Sequence, residues 1–316
     1  MTVLRYGAAP AGSVARLVGN TPLLRLRRVG AHLPDIRLYA KCEFMNPGGS
    51  VKDRAALRMI ETALADGRFG QGKTLIDSTS GNTGVAYAWI CAALGLRCAL
   101  VMPGNVSAAR KEIAAAFGAE LVFSDPLQGS DGAILLTRRM VSAEPDRFFH
   151  ADQYGNPENP RAHEMGTALE IAEALEGRVA AFVAGIGTGG TVMGTARGLR
   201  AAAPGVRCYA VEPAEPLHGL EGLKHMASSI VPPIYREAEL DGKIAVATAD
   251  GRAMADRLGR EEGLRVGHSA GAAVAGALEV AARMAAAGER GNVVTVLPDR
   301  ADRYLAGRSW DRRIAW

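Results

Sequence analysis

Only 5% of the 316 residues are aromatic. A core with so few rings must rest on Ala, Val, Leu and Ile. Charge of one sign is also missing. The 37 basic and 33 acidic residues are interspersed and leave a formal charge of +4. With no like-charge run and no basic stripe interleaved with aromatics, nucleic acid is not an expected partner. The four cysteines, Cys42, Cys91, Cys98 and Cys208, show no CxxC spacing. That pattern builds neither a disulfide framework nor a zinc site, and a reducing cytoplasm suits it best. The six histidines form no HExxH and no cluster, so no metal is expected. The longest apolar stretch, 85–94, is too short to span a bilayer, and the first residues carry no apolar signal-like run. No membrane association is expected.

What is present is an alternation of strand-like and helix-like segments. Strands are predicted at 37–41, 74–76, 97–102 and 119–123, with helices at 52–66, 83–94, 107–117 and 130–143. A second series follows. It has helices at 160–175, from the end of the loop 185–191 to about 203, at 250–263 and at about 269–287, and strands at 179–184, 206–211 and 292–297. This βα order predicts two α/β domains with mostly parallel sheets, a boundary near 150 and a cleft between them. The proline-rich stretch 212–242 reads as one long ordered loop, a type that is often functional.

Asn46-Pro47-Gly48-Gly49-Ser50-Val51-Lys52-Asp53-Arg54 places a lysine at the start of a predicted helix. The positive end of the helix dipole disfavours a second cation there and favours the neutral amine. A neutral, positioned amine can form a Schiff base with a carbonyl. A lone first-turn lysine is ordinarily a solvated one, so the rest of the chain must decide.

Three small-residue loops bear on that decision. Gly185-Ile186-Gly187-Thr188-Gly189-Gly190 follows a strand and opens a helix, where backbone amides can cradle a phosphate. With Glu212 ending the next strand, it also fits a dinucleotide-binding turn, which keeps a nicotinamide dehydrogenase open as an alternative. Ser78-Thr79-Ser80-Gly81-Asn82-Thr83-Gly84 offers hydroxyl and amide donors to a carboxylate, or merely caps a helix. Gly267-His268-Ser269-Ala270-Gly271 sets one hydroxyl at a helix start, where Ser269 is either a ligand to something or an N-cap, and His268 reads as structural. A Schiff-base lysine, a phosphate cradle, a carboxylate cradle and an isolated hydroxyl are the set that pyridoxal 5′-phosphate and an amino acid require.

With those motifs the chain resembles the cysteine synthase and cystathionine β-synthase family, the fold-type II pyridoxal phosphate enzymes. The resemblance runs from Gly19-Asn20-Thr21-Pro22-Leu23 to Asp299-Arg300-Ala301-Asp302-Arg303-Tyr304. It implies a tryptophan synthase β-like fold of two three-layer αβα domains, 44–152 forming the smaller and 1–43 plus 153–316 the larger. It implies that Lys52 carries the cofactor and that Asn82 bonds the pyridoxal 3′-oxygen. Gly187, Thr188, Gly189, Gly190 and Thr191 would hold the phosphate, and Ser269 would meet the pyridine nitrogen. Thr79, Ser80, Thr83 and Gln153 would bind the substrate carboxylate.

A hydroxyl at the ring nitrogen implies a weaker electron sink than a carboxylate would give, which favours β-replacement over transamination. The implied reaction converts O-acetylserine or O-phosphoserine and sulfide, or another sulfur donor, to L-cysteine through an aminoacrylate. Tyr209-Ala210-Val211-Glu212-Pro213 and Gly222-Leu223-Lys224-His225-Met226 are most similar to the B-type and O-phosphoserine-using cysteine synthases. There Lys224 would read an anionic group, or would simply be a solvated loop lysine.

Two segments depart from the usual family wording, His163-Glu164-Met165-Gly166-Thr167-Ala168-Leu169-Glu170-Ile171 and Gly267-His268-Ser269-Ala270-Gly271. They leave open a cystathionine synthase-like reaction or one making a non-protein amino acid. The family also implies a homodimer and allows a sulfur-carrier protein as partner.

Overall fold

The structure is a computed structural model that describes residues 12–70, 72–79 and 81–304. Two sheets organise them. The smaller is formed by β3 (Thr74–Ser78), β4 (Arg97–Pro103), β5 (Glu120–Ser124) and β6 (Phe148–His150), in the order β5-β4-β3-β6. All its pairs are parallel. Parallel strands covered on both faces read as continuous apolar runs, and β3 is buried along its whole length. Helices α1 (Lys52–Ala65), α2 (Asn82–Leu94) and α3 (Ala108–Ala116) belong to this half, as does α4 (Gly129–Ala143). One face packs Leu75, Leu100 and Met102 against α1 and α2, and the other packs Ile76, Ala99 and Val101 against α4. Helix α2 is buried almost all round, as its uniformly apolar sequence predicts.

The strands of the larger sheet are β1 (Leu23–Leu26), β2 (Ile36–Cys42), β7 (Ala181–Gly185), β8 (Arg207–Pro213), β9 (Gly242–Val246) and β10 (Gly291–Leu297). Their order is β1-β2-β10-β7-β8-β9. Only the β1–β2 pair is antiparallel. Helices α8 (Thr248–Glu262) and α9 (His268–Ala286) line one side. Helices α6 (Ala168–Ala174) and α7 (Gly190–Ala202) line the other. The chain is therefore a two-domain α/β fold of the fold-type II kind.

The segment 160–175, read as one helix, is three: α5 (Glu158–Ala162), a single π turn (His163–Thr167) and α6. The long stretch 212–242 holds short 3-10 turns at Met226–Ser228 and Glu237–Glu239 before β9 begins.

All but one of the loops singled out in the sequence leave the C-terminal ends of parallel strands, where α/β sheets build their sites; the exception, 267–271, follows α8. The stretch 43–51 follows β2, 79–81 follows β3, 186–189 follows β7 and 298–304 follows β10. No helix among the described residues is long and apolar enough to cross a membrane.

Candidate active site

Lys52 is the first residue of α1. The turn before it needs its glycines. A Cβ on Gly48 would run into the indole of Trp89 and the carboxylate of Asp53, and Gly49 has φ +76°. Asp53 ties the turn down, accepting from Gly48 N at 2.6 Å and from Trp89 Nε1 at 3.1 Å. Burial pushes its carboxyl up to about 7, against the Trp89 hydrogen bond.

The amine of Lys52 is held below its ordinary value, as the chemistry expected of it requires. The leading cause is burial, opposed by the charge of Asp299. Behind the turn lies an ion cluster that no sequence motif announces. Arg54 meets Glu43 at 2.6 Å and Glu170 at 2.7 Å, and Lys41 meets Glu170 at 2.6 Å. Burial alone would raise Glu170, yet the bonds and charge of Arg54, with Lys41, hold it at about 2.

The loop after β7 is a cradle that side chains cannot enter. A Cβ on Gly187 would strike Gly222 O, and one on Gly190 would strike the Asn159 amide. Gly189 has φ +89° and abuts Tyr235. Lys224 N donates to Ile186 O at 2.8 Å, so the stretch 220–224 lies along the cradle. Asn159 Nδ2 donates to Thr188 Oγ1 at 3.0 Å and to Gln153 O at 2.7 Å. Thr191 Oγ1 lies 3.3 Å from His163 Nε2, and His163 Nδ1 lies 2.9 Å from Thr167 Oγ1. Burial, helped by Arg54, lowers His163 to about 3, so it is a neutral imidazole.

The loop after β3 is more open. A Cβ on Gly81 would meet nothing within 4 Å, and Thr79 Oγ1 accepts from Gly81 N at 3.4 Å. Ser80 lies outside the described residues. Gln153 is buried behind the loop. Its Nε2 donates to Ser78 O at 3.2 Å, which turns its Oε1 to accept from Thr83 Oγ1 at 2.8 Å. The Thr83 hydroxyl proton is thereby given to Gln153. Asp77 anchors the pair, accepting from Gln153 N at 3.0 Å and from Tyr87 Oη at 2.9 Å.

These parts converge. A cleft of about 440 Å³ is lined by Lys52, Thr79, Asn82, Thr83, Gln153 and Lys224, among others. It continues into an inner recess of about 40 Å³ bounded by Lys52, Asn82, Gly187, Thr188, Gly189, Thr191 and Ser269. Asp299, 1% exposed, lines the recess, and its Oδ1 has no hydrogen-bond partner among the described residues. A glycine cradle, an amine whose proton is disfavoured by burial and an orphaned polar atom beside it suit a phosphorylated aldehyde.

The sequence profile described as "Pyridoxal-phosphate dependent enzyme" matches residues 14–299. The chain belongs to that family. Its cofactor is pyridoxal 5′-phosphate. A cysteine synthase of Aquifex aeolicus (strain VF5) is 48% identical over 295 residues, covering 93% of this chain and 90% of that one. A crystal structure of cysteine synthase from Entamoeba histolytica matches with TM-score 0.89 and 34% identity, covering 97% and 92% of the two chains. A crystal structure of O-ureido-L-serine synthase matches with TM-score 0.86 and 36% identity, covering 93% of each.

Membership of this pyridoxal phosphate family sets the dehydrogenase alternative aside, and geometry agrees. Glu212 is taken up by Lys243 at 3.2 Å and by Met226 N at 3.0 Å rather than offered to a ribose. Ser269 is not an N-cap, since Gly267 holds that position. His268 stacks on Tyr304 with ring centroids 6.4 Å apart. Lys224 is half-buried, with Nζ 4.9 Å over the Tyr154 ring. Burial lowers its amine, opposed by Asp131. Asn159, His163, Asp299 and Arg303 carry no role in the sequence motifs. Only the Asn-Pro and Asp-Arg wording around them marks them, and without a fold that wording has no direction.

Proposed function

We propose that this enzyme is a cysteine synthase, replacing the β-substituent of an activated L-serine with sulfide to give L-cysteine. The observation that carries the reading is the meeting of Lys52, the glycine cradle and the hydroxyl loop in one cleft. The shared name of the Aquifex and Entamoeba relatives supports it.

Bound pyridoxal phosphate supplies an electron sink that acidifies the Cα–H bond of an amino acid. Gly187 to Thr191 would hold its phosphate through backbone amides at the start of α7, where the helix dipole favours an anion. Lys52 would hold its aldehyde carbon, Asn82 its 3′-oxygen and Ser269 its ring nitrogen. Lys52 Nζ, desolvated and inclined to the free base, would take the Cα proton and return it after the nucleophile has added. Thr79, Ser80 and Gln153 would bind the α-carboxylate at the start of α2, with Thr83 orienting Gln153 through its donated hydrogen bond. The domain division we propose is 44–152 against 1–43 plus 153–316, supported by the presence of two separate sheets among the described residues.

O-acetylserine is the first donor we propose. O-phosphoserine is the second, favoured by the half-buried cation of Lys224 in the cleft. A β-replacement giving cystathionine or a non-protein amino acid is the runner-up, favoured by the likeness to O-ureido-L-serine synthase. We further propose a cytoplasmic homodimer, supported by the exposed apolar side chains Leu17, Leu24 and Met45, and a sulfur-carrier protein as an optional source of sulfide.

The test is direct. The holoenzyme is given each donor with sulfide, cysteine is quantified, and borohydride-reduced protein is mapped for the modified lysine. Cysteine from O-acetylserine and modification at Lys52 are expected. Failure with both donors, or modification elsewhere, overturns the reading.

A further inference from the structure

The side-chain amide of Asn82 is gripped at both ends. Its Oδ1 accepts from Arg303 Nη1 at 2.9 Å, and its Nδ2 donates to Asp299 Oδ2 at 2.6 Å. A terminal amide flips freely unless one neighbour can only donate and the other only accept. A guanidinium can only donate. Asp299 Oδ2 receives two donors, since the Tyr304 hydroxyl also donates to it, so it acts as an acceptor as long as any carboxyl proton rests on Oδ1. Burial favours that proton, and the bare, buried Oδ1 is where it would sit. One orientation of the amide satisfies both neighbours, and the flipped one sets the Asn82 NH2 against the donor-only guanidinium of Arg303.

Both grips come from the segment after β10, more than two hundred residues from Asn82. Asp299 is bridged to Ser50 in the Lys52 turn. Arg303 crosses the same turn: its Nη2 donates to Gly48 O, and a Cβ on Gly49 would lie 2.6 Å from it. The segment therefore registers the lysine turn against the start of α2.

We infer that Asp299 and Arg303 are positioning residues that lock the Asn82 amide, so that its remaining Nδ2 hydrogen is presented to the recess beside Lys52. The inference rests on the proposed function, in which Asn82 serves the phenolic 3′-oxygen of pyridoxal phosphate. A flipped amide would set its own oxygen against that one.

The experiment measures pyridoxal phosphate retention by the holoenzyme in equilibrium dialysis, together with its visible absorption maximum. Asp299→Ala and Arg303→Met are made in the natural chain and in an Asn82→Ala background. Each is expected to weaken retention about fivefold in the natural chain, the size of one ordinary hydrogen bond, and to shift the absorption maximum. In the Asn82→Ala background neither should change retention more than about twofold, because no amide remains to orient. The conservative variants Asp299→Asn and Arg303→Lys each keep a group able to serve as the grip and should restore retention to within about twofold of the natural chain.

Equal losses in both backgrounds would mean that the two residues act through packing alone and would overturn the clamp. So would an Asp299→Asn as damaging as Asp299→Ala. Should Arg303→Met fail to fold, the Asp299 series decides. If Asn82→Ala itself leaves retention and spectrum unchanged, the assignment of Asn82 fails and the clamp falls with it. That outcome is distinct from a failing clamp around a working Asn82.

Discussion

The two strand-to-helix loops of the cleft solve opposite problems with similar small residues. The loop after β7 is tight: Gly187, Gly189 and Gly190 are pressed against Gly222, Tyr235 and Asn159, so those three positions have no room for a side chain. The loop after β3 is loose around Gly81 and is braced from behind by Gln153, Asp77 and Tyr87. In the proposed function the resident group would be held by fixed amides, whereas a substrate that comes and goes would be met by side chains. Glycine in the first loop makes room for the protein itself, and in the second it leaves room empty.

Both loops serve one lysine, so the largest expected effect is the loss of Lys52. Lys52→Ala should lower kcat for cysteine formation by about a thousandfold or more, since both proton transfer and covalent capture are lost. The thermal midpoint should hold, because Lys52 ends the turn rather than fills the core. If cysteine formation in Lys52→Ala stays within about tenfold, the lysine is not the base and the two loops have been matched to the wrong centre.

The contrast between the loops is sharpened by the same substitution in each. In Gly190→Ala the new methyl meets Asn159, which cannot retreat because it bridges Thr188 and Gln153. Overpacking of this kind costs about 1–3 kcal/mol, and cofactor retention should fall about tenfold. In Gly81→Ala the methyl enters open space at φ −120°, and retention should be unchanged. Equal effects in dialysis would erase the distinction between a shut loop and a loose one.

What was readable in the sequence follows the same division. Lys52, the glycine cradle and the hydroxyl loop are contiguous motifs whose meaning depends on local backbone, and the two sheets follow from long alternating segments. The short strands β1, β6 and β9 escaped notice because a few residues carry little periodicity; β6 has only three. The π turn at 163–167 is invisible because one extra residue in a helical turn leaves no mark on the apolar spacing around it. The residues that brace the motifs, Asp299 and Arg303 for Asn82 or Asn159 for Thr188, act across the fold. The Asn82–Asp299 contact joins positions 217 apart, and nothing local announces it.

The brace of the looser loop gives a smaller effect. Thr83→Val keeps the shape and removes the hydroxyl, leaving Gln153 Oε1 buried without its donor. The KM for the amino-acid donor should rise several-fold, in line with about 1 kcal/mol for an unsatisfied buried acceptor. Cofactor retention should stay the same. A loss of retention without a change in KM would assign Thr83 to the shut side of the comparison.

The brace of the shut loop is tested by pH, in a readout of stability rather than activity. His163 sits 3.3 Å behind Thr191 as a neutral imidazole with its pKa lowered to about 3. Unfolded histidine titrates near 6.5, roughly its free value. Between those two values the unfolded chain binds a proton that the folded chain refuses. Stability from this group is therefore intact above about pH 6.5 and drains away as pH falls toward 3, by an amount on the order of 2 kcal/mol at pH 5. His163→Gln offers a donor and an acceptor to the same two hydroxyls but has nothing to titrate. Between pH 7 and pH 5 the natural chain should lose a few degrees more in thermal midpoint than the variant, at about 1.5 °C per kcal/mol for a chain of this size. Buried Asp53 titrates with the opposite sign, but it is common to both proteins and cancels in the difference. Parallel midpoint curves for the two proteins would mean that protons reach His163 in the folded state, and that the loop after β7 is not shut from behind.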